Sequence, residues 1–241
     1  YVSLHRYTGN RDDNTPAFLS ISESVEQQIR DMDAVCRYVQ AKRKSKKRAY
    51  LCMDEWNVWY KNKDMNGQGQ IAPHLIEEIY NLEDALAVAG FLHAFVRNAD
   101  VVKIANLAQI VNLIAPIITR DDDILIQSTF YPFEMFSKRR DGIALRVSQQ
   151  GPTYDAGANG CVPVIDASAI QNEDKLHLFL TNRSTDEEVE VQVAIADRAV
   201  VEAIDAEMLT GPNATAANSF EEPEVIKPTA MEGIRCERGQ A

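Results

Sequence analysis

The sequence is short of positive charge. Its 25 Lys and Arg residues face 36 Asp and Glu, a formal net charge of −11. That balance argues against nucleic acid or an anionic membrane surface as partner, since both need an excess of Lys and Arg. Long apolar runs are also missing, and no stretch reaches the roughly 18 residues that span a bilayer. Cysteine is sparse and scattered: Cys36, Cys52, Cys161 and Cys236 form no CxxC pair and no metal-ligand spacing. The expected state is therefore free, buried thiols in a reducing compartment rather than a disulfide framework or a zinc site. No internal repeat is present. The opening residues carry no charged, signal-like segment but run straight into the apolar stretch Tyr1-Val-Ser-Leu4. The chain is thus expected to be the interior of a longer protein, which would conceal any targeting signal.

What is present divides near residue 140. Before it, strand and helix patterns alternate. Tyr1 to Leu4 is the first strand candidate. Ser20 and Glu23 have capping-box spacing, and Val25, Ile29, Met32, Cys36 and Val39 then mark one helical face. Ala49 to Asp54 is the second strand. A second helix is predicted from about Asn81, with Leu82, Leu86, Ala89, Leu92 and Val96 at spacings of three or four. Val101 to Ala105 is the third strand, followed by the apolar run Ile110 to Ile118. Near-continuous apolar strands separated by helices are the pattern of parallel α/β structure, though three strands cannot close a barrel. After residue 140 the helical period is lost. Ile143 to Val147, Leu176 to Leu180 and Val189 to Ile195 read as strands of a β-sandwich, the last with clean alternation. The basic run Lys42 to Arg48 reads as a solvated connection between helix and strand.

The richest segment is Tyr50-Leu-Cys-Met-Asp-Glu-Trp-Asn-Val-Trp-Tyr60, a short apolar strand ending on two carboxylates and three aromatics. Aromatic faces stack on the apolar side of a sugar ring, and a carboxylate meets charge developing at the anomeric carbon. Strand alternation places Asp54 and Glu55 on opposite faces and leaves open which one faces a site. His5 and Tyr7 follow the first strand, and Asn106 and Gln109 follow the third. In parallel α/β folds the strand ends converge on one face, where sites form. His74, His93 and His177 read as structural or exposed.

These residues resemble a known family. Ser3-Leu-His-Arg-Tyr-Thr-Gly-Asn10, Asp54-Glu-Trp-Asn-Val-Trp-Tyr60 and Ala105-Asn-Leu-Ala-Gln-Ile-Val-Asn112 are similar to successive motifs of family 51 glycoside hydrolases, chiefly α-L-arabinofuranosidases. Leu209-Thr-Gly-Pro212, Asn218-Ser-Phe220 and Pro223 resemble the family's C-terminal region. The resemblance implies that residues 1–140 supply about the sixth to eighth strands of a (β/α)₈ catalytic barrel, and residues 141–241 a C-terminal β-sandwich. It assigns Glu55 as nucleophile, His5, Tyr7 and Gln109 as sugar-binding residues, and Trp59 as an aromatic on the leaving-group side.

The implied mechanism is retaining: Glu55 forms a covalent arabinosyl-enzyme and a second carboxyl acts as acid and base. In the family that second residue is a glutamate within an Asn-Glu pair at the end of the fourth strand. It is expected upstream of Tyr1, so this chain alone should have little activity. The implied substrates are arabinan- or arabinoxylan-type oligosaccharides; no cofactor or metal is expected. A cytoplasmic, homo-oligomeric parent is the corresponding expectation. Two other readings stay open: a related barrel glycosidase acting on β-glucan or xylan, and a carbohydrate-binding module whose function lies in the sandwich.

Overall fold

The computed structural model describes residues 1–61, 71, 76–195 and 202–236. Its first half is built on three parallel strands, β1 (Val2–Thr8), β2 (Leu51–Val58) and β3 (Val102–Leu107), in the order β1-β2-β3. β2 is central, so its apolar residues are covered on both sides: Leu51, Met53, Trp56 and Val58 are fully buried. Helices α1 (Thr15–Leu19) and α2 (Ile21–Lys42) connect β1 to β2, and α3 (Leu82–Arg97) precedes β3.

The predicted apolar stripe of α2 is only half core. Val25 and Ile29 are buried with the strands, Met32 and Cys36 are partly covered, and Val39 is 44% exposed. The reason is length. Twenty-two helical residues extend about 33 Å, whereas the seven residues of β1 extend about 23 Å. The last turns therefore run past the strand. The basic segment that follows, residues 42–47, is exposed as expected. The expected capping box at Ser20 does not form. The Ser20 hydroxyl donates to the Ala17 carbonyl at 2.7 Å instead, because α1 runs almost directly into α2. A capping box forms instead at the start of α3, where Asp84 Oδ2 and Asn81 Oδ1 accept reciprocal backbone N–H bonds.

Helix α3 ties the halves of the chain together. Its first two N–H groups donate to the carbonyls of Ala216 and Ala214 at 2.9 Å each. The C-terminal segment thus satisfies donors that a helix leaves orphaned. The far end of α3 meets the second half, where β6 (Ile143–Leu145), β9 (Ile165–Asn172) and β10 (Lys175–Asn182) form an antiparallel sheet in the order β10-β9-β6. His93 lies fully buried between Ser168 and Thr181, its ring nitrogens 2.8 and 3.0 Å from their hydroxyls. Asp166 pairs with both Arg97 and Arg183, and these reach Glu26 and Glu23 of α2.

Shorter pairs complete the described fold: β4 (Ile117–Arg120) with β5 (Asp123–Ile126), β7 (Thr153–Asp155) with β8 (Cys161–Pro163), and β11 (Glu207–Thr210) with β12 (Lys227–Ala230). Helix α4 (Phe130–Ser137) packs Phe133 near Trp56 and Phe136 on Phe179. The strands read at Ile143 and Leu176 are present. The alternating segment Val189 to Ile195 is not a strand, and Val191 and Val193 are exposed. Alternation specifies a face, but a strand also needs a paired edge and an apolar layer beneath it. The cysteines also depart from expectation. All four are free, but Cys161 and Cys236 are exposed and only Cys52 is buried. His74 lies outside the described residues.

Candidate active site

The C-terminal ends of β1 and β2 bring four of the five expected site residues together. The Tyr7 hydroxyl donates to Glu55 Oε2 at 3.0 Å, and His5 Nδ1 lies 3.3 Å from the same oxygen. The Tyr7 ring meets Trp59 edge-on, with centroids 5.4 Å apart. Parallel pairing explains this convergence, because His5 aligns with Glu55 and Tyr7 with Asn57. Gln109 stands apart from this contact set, exposed just beyond β3 on the adjacent strand.

Strict alternation fails at the two carboxylates. The register between β1 and β2 shifts after Leu4–Met53, so that Asp54 is the extra residue before the His5–Glu55 pair. This bulge turns both acids toward one imidazole: His5 Nε2 lies 3.3 Å from Asp54 Oδ1 while Nδ1 faces Glu55. The Ser3 hydroxyl donates to the same Asp54 oxygen at 2.9 Å. Ser3 and the bridging position of Asp54 escaped the sequence reading, since nothing in the residue pattern marks a one-residue bulge.

The three aromatics after the carboxylates have different destinations. Trp56 is fully buried against Phe91 and Phe95, on the helix side of the sheet, and serves the core. Tyr60 packs on Phe18 and donates to Glu83 at 3.3 Å. Only Trp59 joins the site, where its backbone N–H donates to Thr8 O at 2.8 Å and its backbone carbonyl accepts from Arg11 at 3.4 Å. Asn57 turns inward and donates to the carbonyls of Ala108 and Ile114, fastening the segment after β3 to β2.

Burial, together with the hydrogen bond to Glu55 and its charge, pushes the Tyr7 phenol up to about 12. Tyr7 thus remains a proton donor across the neutral range. The result is a half-exposed carboxylate met on one oxygen by a phenol and an imidazole, with an indole against the phenol ring. Such a group can accept hydroxyl hydrogen bonds or attack an electrophilic carbon. Among the described residues no group of three or more His, Cys, Asp or Glu is arranged to hold a metal ion. No helix of the described residues is long and apolar enough to cross a membrane.

Residues 54–241 match the α-L-arabinofuranosidase C-terminal domain family. An intracellular exo-α-(1→5)-L-arabinofuranosidase of Acetivibrio thermocellus is 42% identical over 199 residues, 78% of this chain and 40% of that protein. One of the same description from Streptomyces lividans is 34% identical over the whole chain and 37% of its own length. The chain thus spans about 40% of the length of the curated relatives it matches. Among solved structures, a family 51 α-L-arabinofuranosidase from Bifidobacterium longum superimposes with a TM-score of 0.81 at 27% identity, over 96% of this chain and 48% of that one. The family 51 arabinofuranosidase of Xanthomonas axonopodis pv. citri shares the fold, with a TM-score of 0.79 at 23% identity over 98% of this chain and 48% of its own. Strand ends, clustered side chains and relatives agree: the chain belongs to the family 51 α-L-arabinofuranosidases and corresponds to their C-terminal portion.

Proposed function

We propose that this chain carries the nucleophile side of the active site of a retaining α-L-arabinofuranosidase. The observation that carries the reading is the convergence of Tyr7 Oη and His5 Nδ1 on Glu55 Oε2 at the end of the central parallel strand. In the first step a Glu55 oxygen attacks the anomeric carbon, the glycosidic C–O bond breaks, and the leaving oxygen takes a proton from a second carboxyl. In the second step that carboxylate removes a proton from water, which attacks the same carbon and releases Glu55. Tyr7 and His5 orient the nucleophile and contact the ring hydroxyls, Gln109 binds a further hydroxyl from β3, and Trp59 forms the leaving-group platform.

The acid/base carboxyl is assigned to a segment outside these 241 residues, a view supported by the relatives' greater length. Asp54 does not take that role in this reading, because it shares His5 with Glu55 and accepts from Ser3. On the same basis β1, β2 and β3 are the sixth to eighth strands of a (β/α)₈ barrel. Residues 1–140 belong to that barrel and residues 141–241 form a β-sandwich domain. The substrates are arabinan- or arabinoxylan-type oligosaccharides with terminal α-L-arabinofuranosyl groups. The similarity to intracellular exo-arabinofuranosidases supports a cytoplasmic site of action. A homo-oligomeric parent is part of the same proposal.

The test is turnover of p-nitrophenyl α-L-arabinofuranoside by the enzyme that contains this chain. Glu55→Gln should abolish it, and peptide mass mapping of the wild type trapped with a slow substrate should find an arabinosyl adduct on the Glu55 peptide. An unimpaired Glu55→Gln enzyme refutes the assignment. Glu55-dependent turnover by the 241-residue chain alone would refute the placement of the acid/base elsewhere.

A further inference from the structure

The two residues after Trp59 are held by two buried carboxylates, one on their backbone N–H groups and one on the Tyr60 hydroxyl. Glu78, only 2% exposed, accepts two consecutive backbone N–H groups, from Tyr60 to Oε2 at 3.1 Å and from Lys61 to Oε1 at 2.7 Å. Glu83, 4% exposed, accepts from the Tyr60 hydroxyl on Oε1. Its Oε2 takes Asn10 Nδ2 at 3.0 Å and the Thr15 hydroxyl at 2.7 Å, both from the segment after β1. Immediately before Trp59, the buried Tyr80 hydroxyl donates to Val58 O at 2.6 Å. Two residues after it, the Lys61 ammonium pairs with Asp84. Every residue from 58 to 61 is thus tied down, and two of the ties run through Glu78.

The chemistry of the cradle is specific. Two adjacent N–H groups need an acceptor on each oxygen, which a carboxylate offers and an amide cannot, because its NH₂ would oppose one of them. Burying a carboxylate is costly unless hydrogen bonds and charge partners compensate. Here the bonds from Tyr60 and Lys61 supply part of that compensation and fix the placement of this short segment.

We propose that Glu78 and Glu83 are positioning residues for leaving-group recognition. Acting through the Tyr60 and Lys61 N–H groups and the Tyr60 side chain, they set the depth and tilt of the Trp59 indole, and so its fit to the sugar from which arabinose departs. The inference rests on the assignment of Glu55 as nucleophile and Trp59 as leaving-group platform.

The test compares two substrates in the enzyme that contains this chain. An arabino-oligosaccharide has a sugar leaving group that reaches Trp59, whereas α-L-arabinofuranosyl fluoride loses a single atom. Glu78→Gln is expected to lower kcat/KM on the oligosaccharide about fivefold more than on the fluoride, chiefly through KM, the size of one lost hydrogen bond. Tyr60→Phe removes only the hydroxyl on Glu83, should fold regardless, and is expected to shift the ratio in the same direction by about half that factor. In a Trp59→Ala background the extra discrimination should vanish, because the two residues act as one unit. Equal losses on both substrates, or a split that persists without Trp59, would overturn the proposal. Glu55→Gln is run in parallel: retained turnover there refutes the nucleophile assignment, while its loss together with no substrate split refutes only the positioning role.

Discussion

Asp166 holds the two halves of the chain together, and its removal has a calculable cost. Its two oxygens face the guanidinium groups of Arg97 and Arg183, and Arg183 is only 1% exposed. Burial by itself would raise the Asp166 carboxyl, but His93, Arg183 and Arg97 outweigh it and hold the group at about 2. Held below its ordinary value of 3.8, the ionised group contributes stability on the order of 2 kcal/mol. This contribution is complete above pH 3.8 and is lost as the pH falls toward 2. Breaking a buried pair from one side typically costs about 3–5 kcal/mol, because the remaining charge has lost its partner. Glu23 and Glu26 still face the two arginines, so Asp166→Ala should sit near the lower bound, about 3 kcal/mol at pH 7. Urea unfolding followed by tryptophan fluorescence is a suitable assay, since Trp56 is fully buried in the fold. Asp166→Leu combined with Arg183→Met should recover much of the loss, because the uncompensated charge goes with its partner. A single-variant loss below about 1 kcal/mol would mean that the pair behaves as a surface contact, and the reasoning would fail.

Three further outcomes are expected. Tyr7→Phe deletes a hydroxyl donated to a carboxylate and should lower kcat/KM on an aryl arabinofuranoside about 10- to 100-fold, with KM less affected; an unchanged value would show that the bond does not act in the transition state. Burial depresses His93 from 6.5 to about 4, so the unfolded chain binds more protons between these values, and stability should fall by up to about 3 kcal/mol as the pH drops from 6.5 to 4. Urea midpoints should lose that slope in His93→Gln. Gly9→Ala would place a methyl 2.2 Å from Tyr60 Cβ and should cost about 1–3 kcal/mol by thermal unfolding, whereas a neutral result would show that the loop after β1 yields freely.

Much of the site could be read from the sequence because its carriers are local. The apolar run from Leu51 predicts a buried strand, and the chain after it holds Glu55 and Trp59 within five residues. Parallel α/β patterning predicts that His5 and Tyr7 arrive at the same end, and the motifs around them identify the family. The start of α3 near Asn81 was equally legible, since the apolar positions that follow keep helical spacing.

What only the tertiary structure decided depends on register and on distant partners. The shift between β1 and β2 overrides alternation and turns Asp54 and Glu55 toward the same histidine, a consequence of pairing that no single strand encodes. Trp56 and Trp59 carry the same side chain three residues apart, yet one fills the core against Phe91 and the other packs edge-on with Tyr7. The alternation of Val189 to Ile195 is as regular as any in the chain, but it found no paired edge among the described residues. Sequence by itself determined which chemical groups are available and which strand ends carry them. The fold decided which groups meet, because hydrogen bonds and ion pairs depend on ångström distances set by elements far apart in the chain.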